Sequence, residues 1–257
     1  MLGAIAGDII GSVYEARPIK SRDFPLFSSG CRFTDDSVLT AAVADAILHN
    51  ADYTDKFHEY FARYSQAGFG GSFMQWAMTR CRRPYYSFGN GSAMRVSPVG
   101  FVCEDIDAVL AEAEKSAAVT HNHPEGIKGA QATAAAVFMA KNGAEKLGIR
   151  AFIRERFGYD LDRPLAEIRR NYRFDSSCQG SVPQSLIAFF ESADYEDAVR
   201  NAISLGGDAD TMAAIAGAVA EAAYGIPDEI RKKALSYLDA PLKRVVQEFT
   251  DRFMTAS

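Results

Sequence analysis

Two stretches of this chain crowd oxygen donors at the start of a helix-like run. Thr34-Asp35-Asp36-Ser37 precedes VLTAAVADAIL, and Gly206-Gly207-Asp208-Ala209-Asp210-Thr211 precedes MAAIAGAVAEAAYG. One Ser, Thr or Asp is enough to cap a helix, because its side-chain oxygen accepts an orphan first-turn amide. Acidic groups also favour the positive end of the helix dipole. Four consecutive oxygen donors exceed that need, and adjacent carboxylates repel each other unless a cation or solvent compensates. Hard cations such as Mg2+ or Mn2+ take ligands of this kind. For the first segment alone, capping and metal binding both stay open. In the second, the two glycines permit a sharp turn that sets three more oxygen donors beside a helix start.

Neither segment is an EF-hand loop, which needs further donors and a terminal Glu at fixed spacing. Asp-x-Asp-Thr also occurs in phosphotransferases of the haloacid dehalogenase type, where it leaves a buried strand. Residues 195–205 read instead as an amphipathic helix, which demotes that alternative. Glu15, in Gly7-Asp8-Ile9-Ile10-Gly11-Ser12-Val13-Tyr14-Glu15, taken by itself reads as a solvated acid. A third feature is Ser87-Phe88-Gly89-Asn90-Gly91-Ser92-Ala93-Met94-Arg95. Its glycines would let backbone amides approach a phosphate, with Phe88 or a nearby Tyr covering an apolar part of a nucleotide. An isolated glycine-rich stretch is more often a turn, and the spacing matches neither a Walker loop nor a Rossmann fingerprint. His121 and His123 offer imidazoles, but oxygen-rich motifs already supply a hard-cation set, and one His can cap the helix after Pro124. Cys31, Cys81, Cys103 and Cys178 lack CxxC spacing and read as reduced thiols.

The elements that must position these groups read as helices. Apolar residues recur at helical spacing over 37–48, 106–119, 126–140, 195–205 and 212–224. Pro124 and Pro183 suit first-turn positions, and Gly225 followed by Pro227 suits a helix end. Small residues at Ala213, Gly217 and Ala220, and at Gly129, Ala132 and Ala136, would let helix axes approach closely. No period-2 run is long enough to anchor a sheet, and no linker or repeat divides the chain. The expectation is an all-α fold, one compact domain over 1–257. With 48% hydrophobic residues in 257, a substantial core is available. A net charge of -5 disfavours nucleic acid as a partner. The apolar start is interrupted by Asp8 and lacks a basic n-region, and no run approaches a membrane span, so a cytoplasmic protein is expected.

Taken together, the motifs resemble those of the ADP-ribosylglycohydrolase family, which includes dinitrogenase reductase-activating glycohydrolase and ADP-ribosylarginine or ADP-ribosylserine hydrolases. The resemblance is carried by GDIIGSVYEA at 7–16, TDDS at 34–37, GNGSAMRVSPVG at 89–100, TH at 120–121 and GGDADT at 206–211, in the family's order. It implies an all-α fold whose cleft holds two Mg2+ or Mn2+ ions. Thr34, Asp35 and Asp36 are then ligands of one ion, Asp208 and Thr211 of the other, and Asp210 of both. Glu15 matches an acidic residue beside the second ion. Residues Ser87, Phe88, Gly89, Asn90, Gly91 and Ser92 match the ADP-ribose-binding loop, and His121 belongs to the binding shell. Asp8 and Asp45 have no counterpart in the ligand set.

The reaction so implied is hydrolysis of an N- or O-glycosidic bond of ADP-ribose, with oxocarbenium character at the anomeric carbon. Glu15 and Asp210 are the candidates to take a proton from water. The partner is an ADP-ribosylated protein or small molecule, with an arginine linkage as first choice by resemblance. Two rivals use the same residues: a metal-dependent phosphohydrolase, and a non-catalytic ADP-ribose-binding protein on the same fold.

Overall fold

A computed structural model describes residues 1–254. In chain order the helices are α1 (Leu2–Gly11), α2 (Asp35–His49), α3 (Tyr53–Arg63), α4 (Gly71–Met78), α5 (Gly91–Met94) and α6 (Ser97–Val102). They continue with α7 (Ile106–Ala118), α8 (Pro124–Lys141), α9 (Lys146–Phe157), α10 (Leu165–Asn171) and α11 (Cys178–Phe190). The chain closes with α12 (Tyr195–Ile203), α13 (Ala209–Tyr224), α14 (Asp228–Tyr237) and α15 (Ala240–Phe253). Among the described residues there is no strand, only an isolated bridge between Gly89 and Ser177. The fold is all-α, and one continuous apolar core runs from Met1 to Phe249.

The five helical windows become α2, α7, α8, α12 and α13. Pro124 opens α8, where its missing N–H costs nothing. Gly225 ends α13 at φ +75, a conformation that suits a residue without Cβ. Pro183 departs from its expected first-turn position. Ser177 caps α11 by accepting from the Gly180 amide, which starts the helix at Cys178 and leaves Pro183 in its interior.

The centre of the molecule is the pair α1 and α13. LGAIAGDIIG is apolar on nearly every side, and every residue of α1 is buried, as expected of a helix that has no solvent face. The two backbones meet through small residues. A Cβ added to Gly3 would lie 2.5 Å from the Gly217 carbonyl oxygen, and one added to Gly11 would lie 2.5 Å from that of Ala209. At Gly7 it would overlap the Ala213 carbonyl. The small-residue face read on α13 therefore has its counterpart on α1. Gly129 of α8 leaves room for the side chain of Cys178. Glu221, near the C-terminal end of α13, accepts the Gly3 amide at 2.7 Å and so serves the orphan donors of α1.

Candidate active site

The α1–α13 contact sets one acidic helix start beside a buried acid, and α2 brings the second. Asp8, on α1, is wholly buried and accepts four hydrogen bonds from the first turn of α2. Thr34 donates its amide at 2.9 Å and its hydroxyl at 2.7 Å, and Ser37 donates its amide at 3.1 Å and its hydroxyl as well. Thr34 also caps α2, its hydroxyl oxygen accepting from the Asp36 amide at 3.3 Å. Capping and clustering thus coexist in one segment. On α13, Thr211 donates its hydroxyl to Asp36 Oδ2 at 3.3 Å, tying the second helix start to the first. Asn90 donates to Asp208 Oδ2 at 2.8 Å and links the glycine loop to the same centre.

The acids fall into two groups of three. Carboxylate oxygens of Asp8, Asp36 and Asp210 lie within 4.8 Å of one another, and so do those of Glu15, Asp208 and Asp210. Asp210 belongs to both. Asp36 Oδ1 is buried without a hydrogen-bond partner. Among the described residues no Lys or Arg forms an ion pair with any of these acids. Burial, the largest cause in each case, drives their protonation equilibria upward. Asp8 is pushed up to about 6, and Asp35 to about 7 with the Asp8 charge adding to the effect. Asp36 and Asp210 rise well above the carboxylate range, with neighbouring acids contributing after burial. Asp208 is also raised by burial, and Glu15 by burial and then by Asp208.

Asp8, which has no counterpart in the expected ligand set, lies with Asp36 and Asp210 in the first group of acids. Its signal in the sequence is an acid inside an otherwise apolar helix, a position that a charge occupies only with partners. Asp45 is elsewhere: it pairs with Lys56 at 2.9 Å and accepts from Tyr60 at 3.0 Å.

A cleft of about 410 Å³ opens over the acids. Its lining includes Glu15, Thr34, Asp35, Asp36, Asp208, Asp210 and Thr211, together with Ser87, Gly89, Asn90, Gly91 and His121. The loop is pinned from outside, with the Asn90 amide donating to Ser176 O at 2.8 Å and the Cys178 amide to Phe88 O at 2.9 Å. Two loop residues expected at the ligand face away from the cleft. Ser92 is fully buried behind it and gives its hydroxyl to the Gly126 carbonyl at 2.7 Å. Phe88 lines an adjoining recess, its ring 5.4 Å from that of His123. The exposed aromatic on the cleft itself is Phe174, which no motif marked. His123 caps α8 by accepting from the Glu125 amide at 3.1 Å. Cys178 is buried, its thiol pushed up to about 12 by burial, so it is no nucleophile. The Asp-x-Asp-Thr run follows α12 and not a strand, which removes the haloacid dehalogenase alternative.

Helical packing around a largely buried cluster of carboxylates defines an all-α fold with an acidic cleft at its centre. The ADP-ribosylglycohydrolase family model matches residues 1–257. The ADP-ribosylhydrolase ARH3 of Mus musculus is 25% identical, the match covering 96% of this chain and 91% of that one. The ADP-ribosylarginine hydrolase Tri1 of Pseudomonas putida is 25% identical, with 98% and 77% covered. A solved structure titled ADP-ribosylglycohydrolase-related protein complex superposes with a TM-score of 0.73 at 24% identity, covering 97% of this chain and 96% of that one. The chain belongs to the ADP-ribosylglycohydrolase family and is a glycohydrolase. No helix among the described residues is long and apolar enough to cross a membrane.

Proposed function

We propose that the chain is a metal-dependent hydrolase that cleaves the glycosidic bond of ADP-ribosylated substrates and releases ADP-ribose, with ADP-ribosyl-arginine as first choice of substrate. The observation that carries this reading is the pair of three-carboxylate groups joined at Asp210. Buried acids at such spacing need counter-charge. The donors are all oxygens, and the unpartnered Asp36 Oδ1 leaves one of them free, a set that fits Mg2+ or Mn2+. In this reading Thr34, Asp35 and Asp36 would hold one ion and Asp208 and Thr211 the other, with Asp210 available to both. Asp8 enters as support of the first group. Ions held there supply positive charge that lowers the pKa of a bound water.

The remaining work belongs to side chains and backbone. Glu15 stands at the exposed rim of the cleft, its carboxyl raised by partial burial and then by the neighbouring Asp208 charge. It is the first candidate to take the water's proton, with Asp210 the second. Gly89 and Gly91 leave the cleft wall open to a pyrophosphate at the loop backbone. The arginine linkage draws support from the name of the Tri1 relative. The test is product analysis with Mg2+ and with Mn2+ on arginine- and serine-linked ADP-ribosyl substrates. The expected product is intact ADP-ribose, whereas inorganic phosphate or AMP would identify a phosphohydrolase. Binding of ADP-ribose without turnover of any linkage would identify a non-catalytic binder.

A further inference from the structure

Between α1 and α2 the chain runs from residue 12 to residue 34 without a helix and carries Glu15 and Arg32 to the cleft wall. Lys20 lies within this segment and gives its ammonium to carbonyls, not to an acid. Nζ donates to Tyr172 O at 2.6 Å and to Leu205 O. Its charged neighbours are Arg173 and Arg169, whose charges add to burial in lowering its pKa. Ion pairing therefore does not account for its place, and the two carbonyls do.

Each carbonyl belongs to a different wall of the cleft. Leu205 follows the last turn of α12 and leads into Gly206-Gly207-Asp208. Carbonyls at a helix C-terminus lack intrahelical partners and carry the negative end of the dipole, so an ammonium suits them. Gly206 takes φ +65, and a Cβ there would lie 2.8 Å from the Ile19 carbonyl oxygen and 3.1 Å from Lys20 Cε. Only a residue without a side chain lets the segment seat on this turn. The Tyr172 ring closes the turn from another side, where a Cβ on Gly207 would overlap it. Tyr172 is fixed in turn by donating its hydroxyl to the Gly180 carbonyl at 2.7 Å, and it precedes Phe174 and Ser176 on the cleft wall. At the other end of the span, Gly11 of α1 rests on the Asp210 backbone. Residues 12–19, Glu15 among them, are thus held between two anchors.

We propose that Lys20 is a positioning residue for the second group of acids, Glu15, Asp208 and Asp210, holding Glu15 and Asp208 at the spacing that a shared cation needs. The cation half of this statement rests on the reading of the acids as a metal centre. The first group takes its support from Thr34 and Ser37 on α2 and does not depend on Lys20.

The test compares Lys20→Met, which keeps the stem over Gly206 and loses the donor, with Lys20→Arg, which keeps charge and donors. Lys141→Met is the control, since it breaks a lysine-to-carbonyl contact with Phe101 at the far end of α8. Without metal, amide hydrogen exchange over 12–20 and 204–208 should be faster in Lys20→Met and close to wild type in Lys20→Arg. In calorimetry with Mn2+, Lys20→Met should weaken one ion site about tenfold, the low end for supports of a metal site. The site weakened should be the one that Asp8→Asn spares, and Lys141→Met should leave both unchanged. A folded Lys20→Met protein with wild-type exchange would overturn the tie. Faster exchange with both ion sites at wild-type strength, or with both weakened alike, would overturn the positioning role. If the wild type binds no divalent ion, the reading of the acids fails and takes the positioning role with it, whereas exchange still decides whether Lys20 ties the walls.

Discussion

Gly11→Ala adds one methyl group where the central helix pair meets the acidic centre. The new Cβ would lie 2.5 Å from the Ala209 carbonyl oxygen, 2.6 Å from Asp210 Cα and 2.7 Å from Asp210 N. All three are backbone atoms, so no side chain can rotate aside. Relief to ordinary contact near ~3.4 Å requires the end of α1 and the start of α13 to separate by roughly 0.8 Å, and interior packing resists such shifts. Overpacking of this kind costs about 1–3 kcal/mol, partly offset by about 0.5–1 kcal/mol because Ala favours a helix more than Gly. The net loss of about 1–2 kcal/mol corresponds to a fall in Tm of roughly 2–8 °C for a chain of this size. Gly148→Ala is the matched control: it lies exposed in α9 with nothing near its Cβ, and it should raise Tm slightly. Thermal unfolding followed by circular dichroism reads both, and divalent-ion affinity should fall in Gly11→Ala alone, because Asp210 shifts with its backbone. A Gly11→Ala protein as stable as Gly148→Ala, with unchanged ion affinity, would refute the claim that close helix contact sets the geometry of the acids.

In Asp8→Asn the amide oxygen can still accept from Thr34 and Ser37, so stability should stay within about 1 kcal/mol while divalent-ion affinity falls about 10–100-fold, as for other supports of a metal site. Unchanged affinity would reduce Asp8 to a strut between α1 and α2. The folded-state pKa values of Asp8 and Asp35, about 6 and about 7, exceed their unfolded value of 3.8. Protonation therefore favours the folded state, and in chelator this contribution is present near pH 4 and lost as pH rises through about 7. Melting curves in EDTA should show Tm falling across that window, with Mg2+ reducing the slope; a Tm rising steadily to pH 8 would contradict this. Gly89→Val places its branches toward Ser87, Ser176 and His121 at the cleft wall, and should weaken ADP-ribose binding while leaving ion binding nearly unchanged. Equal loss of both would assign the loop a folding role.

The two oxygen-rich helix starts were legible because a cap needs one oxygen and each segment supplies several. Asp8 was not, since its partners at Thr34 and Ser37 arrive from another helix and an acid in an apolar run does not name them. The small-residue face of α13 could be read, but its counterpart at Gly3, Gly7 and Gly11 emerges only when the termini of the chain are brought together. Pro183 was misplaced because the cap at Ser177, not the proline, decides where α11 begins. Ser92 and Phe88 follow the loop motif in sequence, yet a single turn sends one into the core and the other outward. Arg95 closes the glycine-loop motif in sequence, but its burial over Phe57 is purely tertiary.

The account turns on Asp210 being shared by two ion sites. Metal content of the folded protein, measured by calorimetry and elemental analysis on one preparation, tests it most directly. Two Mg2+ or Mn2+ ions per wild-type chain are expected, with at least one lost and ADP-ribose release abolished in Asp210→Asn, whose amide keeps the size of the side chain without its charge. A folded Asp210→Asn protein that retains two ions and near-normal turnover would contradict the shared-ligand centre.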